Sequence, residues 1–307
     1  MHNGGTNTKL GTTRPDAGGG SERAVRSAKD RGRHASGQTG GRAKAKSGAV
    51  KTIPRDGMLA CRYEMKYLVT ETEAAAITAY IRPFLPLDKY SRLQRGEMYP
   101  IVSLYLDSPD LQLCRESLTG VKNRFKLRIR SYTDEPDYPQ FCEIKRRINR
   151  VIMKSRARVL DRSVADVLRG RSLPAEGYRT DDEALNQFQL YAARIHAGPI
   201  VLVRYLRQAF ESTAENRVRV TFDRELCYKV THEPCVRLGG GGWQANRLTV
   251  GRTILEIKFT GMYPRWLSRL VRQFNLEARS ISKYGTSVEQ ACELGFCGPM
   301  ARNLWNG

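Results

Sequence analysis

Residues 124–132, Arg-Phe-Lys-Leu-Arg-Ile-Arg-Ser-Tyr, constrain the fold more than any other stretch of this chain. Their period-two alternation reads as a β-strand, in which successive side chains point to opposite faces. Arg124, Lys126, Arg128 and Arg130 then share one face, and Phe125, Leu127 and Ile129 the other. One such strand fits an ordinary sheet with a solvated basic side. The pattern recurs along the chain, however, often with a carboxylate among the cations. A face carrying so many like charges is costly unless it meets a polyanion.

Alternation marks eight strand-like segments, at about 62–69, 101–107, 124–132, 141–147, 151–158, 200–210, 216–224 and 252–259. Helical patterns fall between and after them: 71–82 behind Thr70 as N-cap, 161–169, 181–196, 264–275 opening on Pro264, and 286–294. The 231–250 segment, with Gly239 to Gly242, reads as a loop. It is not a phosphate-cradling P-loop, because no Gly-Lys-Ser/Thr follows. Antiparallel strands without a βαβ rhythm predict an α+β fold: an eight-stranded antiparallel closed β-barrel with helices packed outside. The helices need an apolar surface, and the strands offer Tyr63/Met65/Tyr67, Val102/Leu104/Leu106, Phe125/Leu127/Ile129, Val218/Val220/Phe222 and Leu255/Ile257/Phe259. With those faces covered, the charged faces line the lumen, and the barrel is a polar tunnel.

The formal net charge is +21 over 307 residues. Residues 1–57 hold 12 Lys/Arg against 4 Asp/Glu, so the tail accounts for +8 and the remainder for +13. The basic character therefore belongs to the folded part as well, which favours an anionic partner. The tail itself is rich in Gly, Ser and Ala and reads as disordered, with the folded domain at 58–295 and a short C-terminal tail at 296–307. Seven scattered cysteines without a CxxC pair suggest reduced thiols in a cytoplasmic protein. Only His196 and His232 lie outside the tail, which disfavours a His-based metal centre or a Ser-His-Asp triad. No apolar run reaches membrane-spanning length and the N-terminus lacks an apolar signal region, so secretion is disfavoured.

The faces opposite the apolar sets carry Arg62, Glu64 and Lys66; Ser103, Tyr105 and Asp107; the four cations of 124–130; Glu143, Lys145 and Arg147; and Lys154, Arg156 and Arg158. Arg217, Arg219 and Asp223, then Arg252, Glu256 and Lys258, complete the series. Arg207 joins it, whereas Arg204 falls on the other side of its strand. Guanidinium forks suit phosphate oxygens, and lysines add point charge. A hard divalent cation bridging phosphates needs oxygen ligands, and Glu64, Glu143, Asp223 and Glu256 are the candidates; their competing role is internal neutralisation by ion pairs. Nucleic acid is disfavoured as the polyanion, since the aromatics Tyr63, Tyr67, Phe125, Phe222 and Phe259 alternate away from the cations and offer no stacking platform beside them.

These segments resemble the polyphosphate-polymerase (vacuolar transporter chaperone, VTC) domain, a branch of the triphosphate tunnel metalloenzymes that also include CYTH-type triphosphatases. The resemblance spans about residues 61–293. It rests on an ordered series: Tyr63-Glu64-Met65-Lys66-Tyr67, Ser103-Leu104-Tyr105-Leu106-Asp107, Leu127-Arg128-Ile129-Arg130, Glu143-Ile144-Lys145 and Lys154-Ser155. Arg207-Gln208-Ala209-Phe210, the run Arg217 to Asp223, Leu255-Glu256-Ile257-Lys258 and Ser282-Lys283-Tyr284 continue it. The resemblance implies that Lys66, Arg128, Arg130, Lys145, Lys154, Arg207, Arg219, Lys258 and Lys283, with Arg217 from the same run, bind the triphosphate and the growing chain. It implies that Glu256 binds Mn2+ or Mg2+, and that the γ-phosphate of ATP moves onto inorganic polyphosphate. The triphosphatase branch opens with Glu-x-Glu-x-Lys; here the first position is Arg62, which agrees better with the polymerase branch. Family members with membrane and inositol-phosphate-sensing domains suggest a membrane-associated partner protein for a chain that shows neither. The alternatives are a triphosphate hydrolase and a non-catalytic polyanion-binding module.

Overall fold

The computed structural model describes residues 62–149, 151–173, 181–212 and 217–296. The expected disordered tail at 1–57 and the C-terminal tail beyond Phe296 lie outside them. The strands are β1 (Arg62–Thr70), β2 (Tyr99–Asp107), β3 (Arg124–Ser131), β4 (Gln140–Ile148), β5 (Val151–Val159), β6 (Gly198–Glu211), β7 (Val218–Val230), β8 (Gln244–Ala245) and β9 (Arg252–Thr260). They form one antiparallel sheet in the order β1-β9-β7-β6-β2-β3-β4-β5, with β8 hung on β7. The helices are α1 (Glu71–Ile81), α2 (Lys89–Arg92), α3 (Gln112–Leu118), α4 (Val164–Leu168), α5 (Asp182–Arg194), α6 (Arg265–Gln273) and α7 (Lys283–Glu293).

The sheet has nine strands and is not the closed eight-stranded barrel expected from sequence: among the described residues, no backbone pairing joins β5 to β1. A side-chain contact spans the gap instead: Lys145 of β4, the strand next to the β5 edge, donates to both carboxylate oxygens of Glu64 on β1 at 3.1 and 3.0 Å. Long charged side chains on an edge resist strand pairing, and this seam is charged on both sides. The result is a sheet curled around a cavity with a longitudinal seam.

The alternating apolar faces do what their pattern predicts over most of the sheet. Ile77 and Ile81 of α1 and Leu267 and Leu270 of α6 pack on Val220, Phe222, Leu255 and Ile257. Val167 of α4 and Phe188 of α5 pack on Leu127, Ile144 and Ala157. Thr70 begins α1 with a reciprocal capping box to Glu73. The exception is α7. Its Tyr284, Val288 and Ala291 share a core cluster with Ile101, Val201 and Val203, which have the inward parity of β2 and β6. The lumen is therefore polar along part of its length only, and α7 fills the rest. Cys114, Cys142, Cys227 and Cys235 are free thiols. Cys292 is disulfide-bonded, so the expectation of uniformly reduced cysteines does not hold.

Candidate active site

Ten of the sequence-expected cations line one cavity of about 550 Å³, eight of them turned into it by strand parity. Lys66, Arg128, Arg130, Lys145 and Lys154 line it from β1 and β3–β5; Arg207, Arg219 and Lys258 line it from β6, β7 and β9, with Arg217 just before β7 and Lys283 on α7. Glu64 and Glu256 line it too, whereas Glu143 and Asp223 lie beneath the lining. Lys126 and Arg156, legible from the same alternation, and Glu211, which sequence reasoning passed over, also face this space.

The four carboxylates divide into two kinds. Glu143, 1% exposed, receives Arg128 Nε, Arg156 Nε and Lys154 Nζ, each at 2.7 Å. Desolvation works to raise its carboxyl, but Arg128, Arg130, Lys154 and Arg156 hold it far below the usual carboxylate range. Asp223 is fully buried and takes a bidentate fork from Arg207 at 2.7 Å on each oxygen, plus Lys283 Nζ at 2.6 Å. Against burial, those two cations bring its carboxyl down to about 2. Both act as counter-ions that fix the cations around them.

Glu256 and Glu64 differ because they meet each other. Glu256 accepts Lys258 Nζ at 2.9 Å and lies within hydrogen-bonding reach of Glu64, in a pocket shared with Lys66 and Lys283. Burial opposes ionisation of Glu256, and the three lysines overcome it, so its carboxyl stays well below the ordinary value. Two carboxylates in contact demand a proton or a cation between them. Beside them Thr221, the register partner of Glu256 on β7, keeps a buried hydroxyl with no hydrogen-bond partner. These donors fit a divalent ion held by two carboxylates, its remaining positions left to phosphate oxygens and water. No cluster of three or more His, Cys, Asp or Glu side chains suited to a metal occurs among the described residues.

Two lining cations carry no carboxylate. Lys126 Nζ donates to the Ser282 hydroxyl at 2.8 Å. Arg130, 6% exposed, reaches only the Ser103 and Tyr205 hydroxyls, at 3.2 and 3.4 Å. Arg130 has no ion pair of its own and shares the nearby Glu143 with Arg128, Lys154 and Arg156, so its buried charge is only partly answered and an incoming anion would complete it. Lys126 lies against Lys66 and Lys145; desolvation and these like charges lower its ammonium to about 7.

Asp107, placed by parity among the lumen residues, belongs to the scaffold. Its oxygens accept the backbone N–H groups of Ser108, Leu113 and Cys114, all at 2.8 Å, and the Tyr284 hydroxyl at 2.6 Å, so it ties α3 and α7 to the end of β2. Arg207 points inward and Arg204 outward to the Leu238 carbonyl, as the odd spacing between them requires. Arg219 is held by Asp88 at 2.8 Å and by Glu211. The aromatics correct the sequence reading: Tyr90, Tyr99, Tyr132 and Tyr205 line the cavity, and Tyr63 stacks on Phe259 with ring centroids 4.8 Å apart. Ring faces do lie beside the cations, so that ground for disfavouring nucleic acid falls away.

The VTC domain family matches residues 61–292. The chain belongs to the VTC-domain family. Among solved structures, the VTC domain is similar to a protein from Bacillus halodurans assigned as an adenylate cyclase, with 14% identity, 72% of this chain and 95% of that chain covered, and a TM-score of 0.37. A Pyrococcus horikoshii protein matches at 13% identity over 74% of this chain and 99% of its own, with a TM-score of 0.36. A Hippeastrum protein, assigned as an adenylyl cyclase with a dominant triphosphatase activity, matches at 12% identity over 74% and 95%, with a TM-score of 0.40. No curated protein matches the chain in sequence. No helix among the described residues is long and apolar enough to cross a membrane.

Proposed function

We propose that this VTC domain is a metal-dependent phosphotransferase that lengthens inorganic polyphosphate at the expense of ATP. The observation that carries this reading is the convergence of cations from seven strands and α7 on one cavity, with Arg130 and Lys126 lacking carboxylates of their own. Phosphoryl transfer depends chiefly on positioning and on neutralising charge over the transferring group. Arg128, Arg130, Arg207 and Arg219 would grip the nucleotide's phosphate oxygens, and Lys66, Lys145, Lys154, Lys258, Lys283 and Arg217 would add charge around the donor and the acceptor. A terminal oxygen of the polyphosphate acceptor attacks the γ-phosphorus as the bond to the β,γ-bridging oxygen breaks. ADP leaves with that electron pair, and the chain grows by one phosphate.

Glu256 and Glu64 would hold Mn2+ or Mg2+, which when bound supplies further neutralisation of the phosphate oxygens. Glu143 and Asp223, proposed from sequence as metal ligands, are better suited to orienting Arg128, Arg156, Arg207 and Lys283. Product stoichiometry tests the proposal. With ATP, metal and a short polyphosphate primer, a transferase releases ADP with little free phosphate. One free phosphate for every ADP would identify a triphosphate hydrolase instead, and neither product would indicate a polyanion-binding module.

A further inference from the structure

The seam between β5 and β1 coincides with an unusual row of charge. Lys126 of β3 pairs in register with Lys145 of β4, and Lys145 with Lys154 of β5, so three lysines stand side by side across three strands. Adjacent strands lie about 4.8 Å apart, so the row spans roughly 10 Å. Like charges directly opposite one another destabilise a sheet. The neighbouring row, Arg128–Glu143–Arg156, answers this with a carboxylate at its centre. The lysine row has no acidic member. Lys154 borrows Glu143 from the next row, Lys145 reaches across the seam to Glu64, and Lys126 has the Ser282 hydroxyl.

The row also has a direction. It starts beside Ser282 at the head of α7, and it ends on β5, the last strand of the sheet. The outer two side chains are open to solvent, Lys145 by 38% and Lys154 by 43%, whereas Arg207 and Lys283 in the depth of the cavity are at 11% and 10%. α7 fills the inner end of the lumen with apolar side chains, and an extended polyanion cannot thread through that packing. The seam provides an outlet on the cationic side.

We propose that inorganic polyphosphate enters and leaves the cavity sideways, through the seam between β5 and β1, along the row Lys126–Lys145–Lys154. This deepens the polymerase reading by placing the acceptor chain at the seam rather than at the exposed rim residue Arg217, which precedes β7. The binding claim does not require turnover. Burial, with the neighbouring cations, depresses the ammonium groups of Lys126 to about 7 and of Lys154 to about 8, the latter against the pull of Glu143.

The test compares two exposed cations on the full chain, Lys154→Gln at the seam and Arg217→Gln at the rim, by equilibrium binding of tripolyphosphate and of a long polyphosphate. The seam path predicts that K154Q weakens long-chain binding about tenfold with tripolyphosphate changed far less, and that R217Q lacks this length dependence. Length-dependent loss in R217Q and not in K154Q would overturn it in favour of passage through the rim. So would equal losses for both ligands in K154Q, or a wild-type protein that holds long chains no more tightly than tripolyphosphate. Retained tripolyphosphate binding shows that each variant is folded. Length-dependent binding without chain growth would refute the polymerase reading and leave the seam path standing.

Discussion

Glu256 and Lys126 carry the sharpest consequences at the scale of single residues. Glu256 is buried and ionised, contacts Glu64 and Lys258, and is the side chain best placed for a divalent ion. Glu256→Gln keeps its size and removes its charge, so ADP formation should fall by at least about a hundredfold, as when a preorganised electrostatic group is lost. Thermal melting should show an intact fold, and full activity with metal present would refute the assignment. Lys126, with an ammonium at about 7 against an ordinary 10.5, makes anion affinity depend on pH. Its charge is present below pH 7 and lost as pH rises through 7, so tripolyphosphate affinity measured by titration calorimetry should fall across that range. Lys126→Met should flatten the profile more than any change in the ligand's own ionisation can. In the anion-free protein the sign reverses: the folded state holds fewer protons than the unfolded chain between pH 7 and 10.5, so this group's penalty to stability is relieved as pH rises. The cations were legible because alternation fixes which side of a strand they occupy. Asp107 was misplaced because it sits where β2 ends and its backbone partners begin, and Asp88, which steadies Arg219, stands far from it in sequence.

The alternating strands were found in sequence because each carries its own signal, although β7 continues to Val230, past the expected end at 224, and the short β8 lies in the segment read as a loop. The helix α3 was not. It starts after Leu111 at φ 57°, and the carboxylate serving its first N–H groups belongs to Asp107, beyond the reach of a local capping pattern. Asp107→Ala strips partners from three backbone N–H groups and the Tyr284 hydroxyl, and should lower stability in urea unfolding by about 3 kcal/mol or more. A change below about 1 kcal/mol would show that α3 and α7 are anchored by packing alone. The position of α7 was equally hidden. Its apolar stripe resembles that of any surface helix, and nothing local says whether the outer or the inner face of the sheet receives it. The β5–β1 seam escaped for a related reason, because closure depends on two edges distant in sequence, and the contact that spans them joins Lys145 of β4 to Glu64 of β1.

At the scale of the whole molecule, cations far outnumber carboxylates in the cavity lining, where an anion is needed. Ion pairs to Glu143, Asp223, Glu211 and Glu64 offset part of the cavity's charge, and the remainder disfavours the anion-free fold. Tripolyphosphate at a hundred times its dissociation constant should therefore raise Tm by roughly 5–10 °C, the effect of about 2.7 kcal/mol on a domain of this size. The gain should shrink as salt screens the rim and seam charges. A rise that ignores ionic strength would point to binding outside the cavity. The most direct measurement is gel electrophoresis of the 307-residue chain's products after incubation with ATP, Mn2+ and a short polyphosphate primer. The cavity's chemistry predicts a metal-dependent ladder of lengthening chains that disappears in Glu256→Gln, whereas consumption of ATP to free phosphate with the primer unchanged would contradict it.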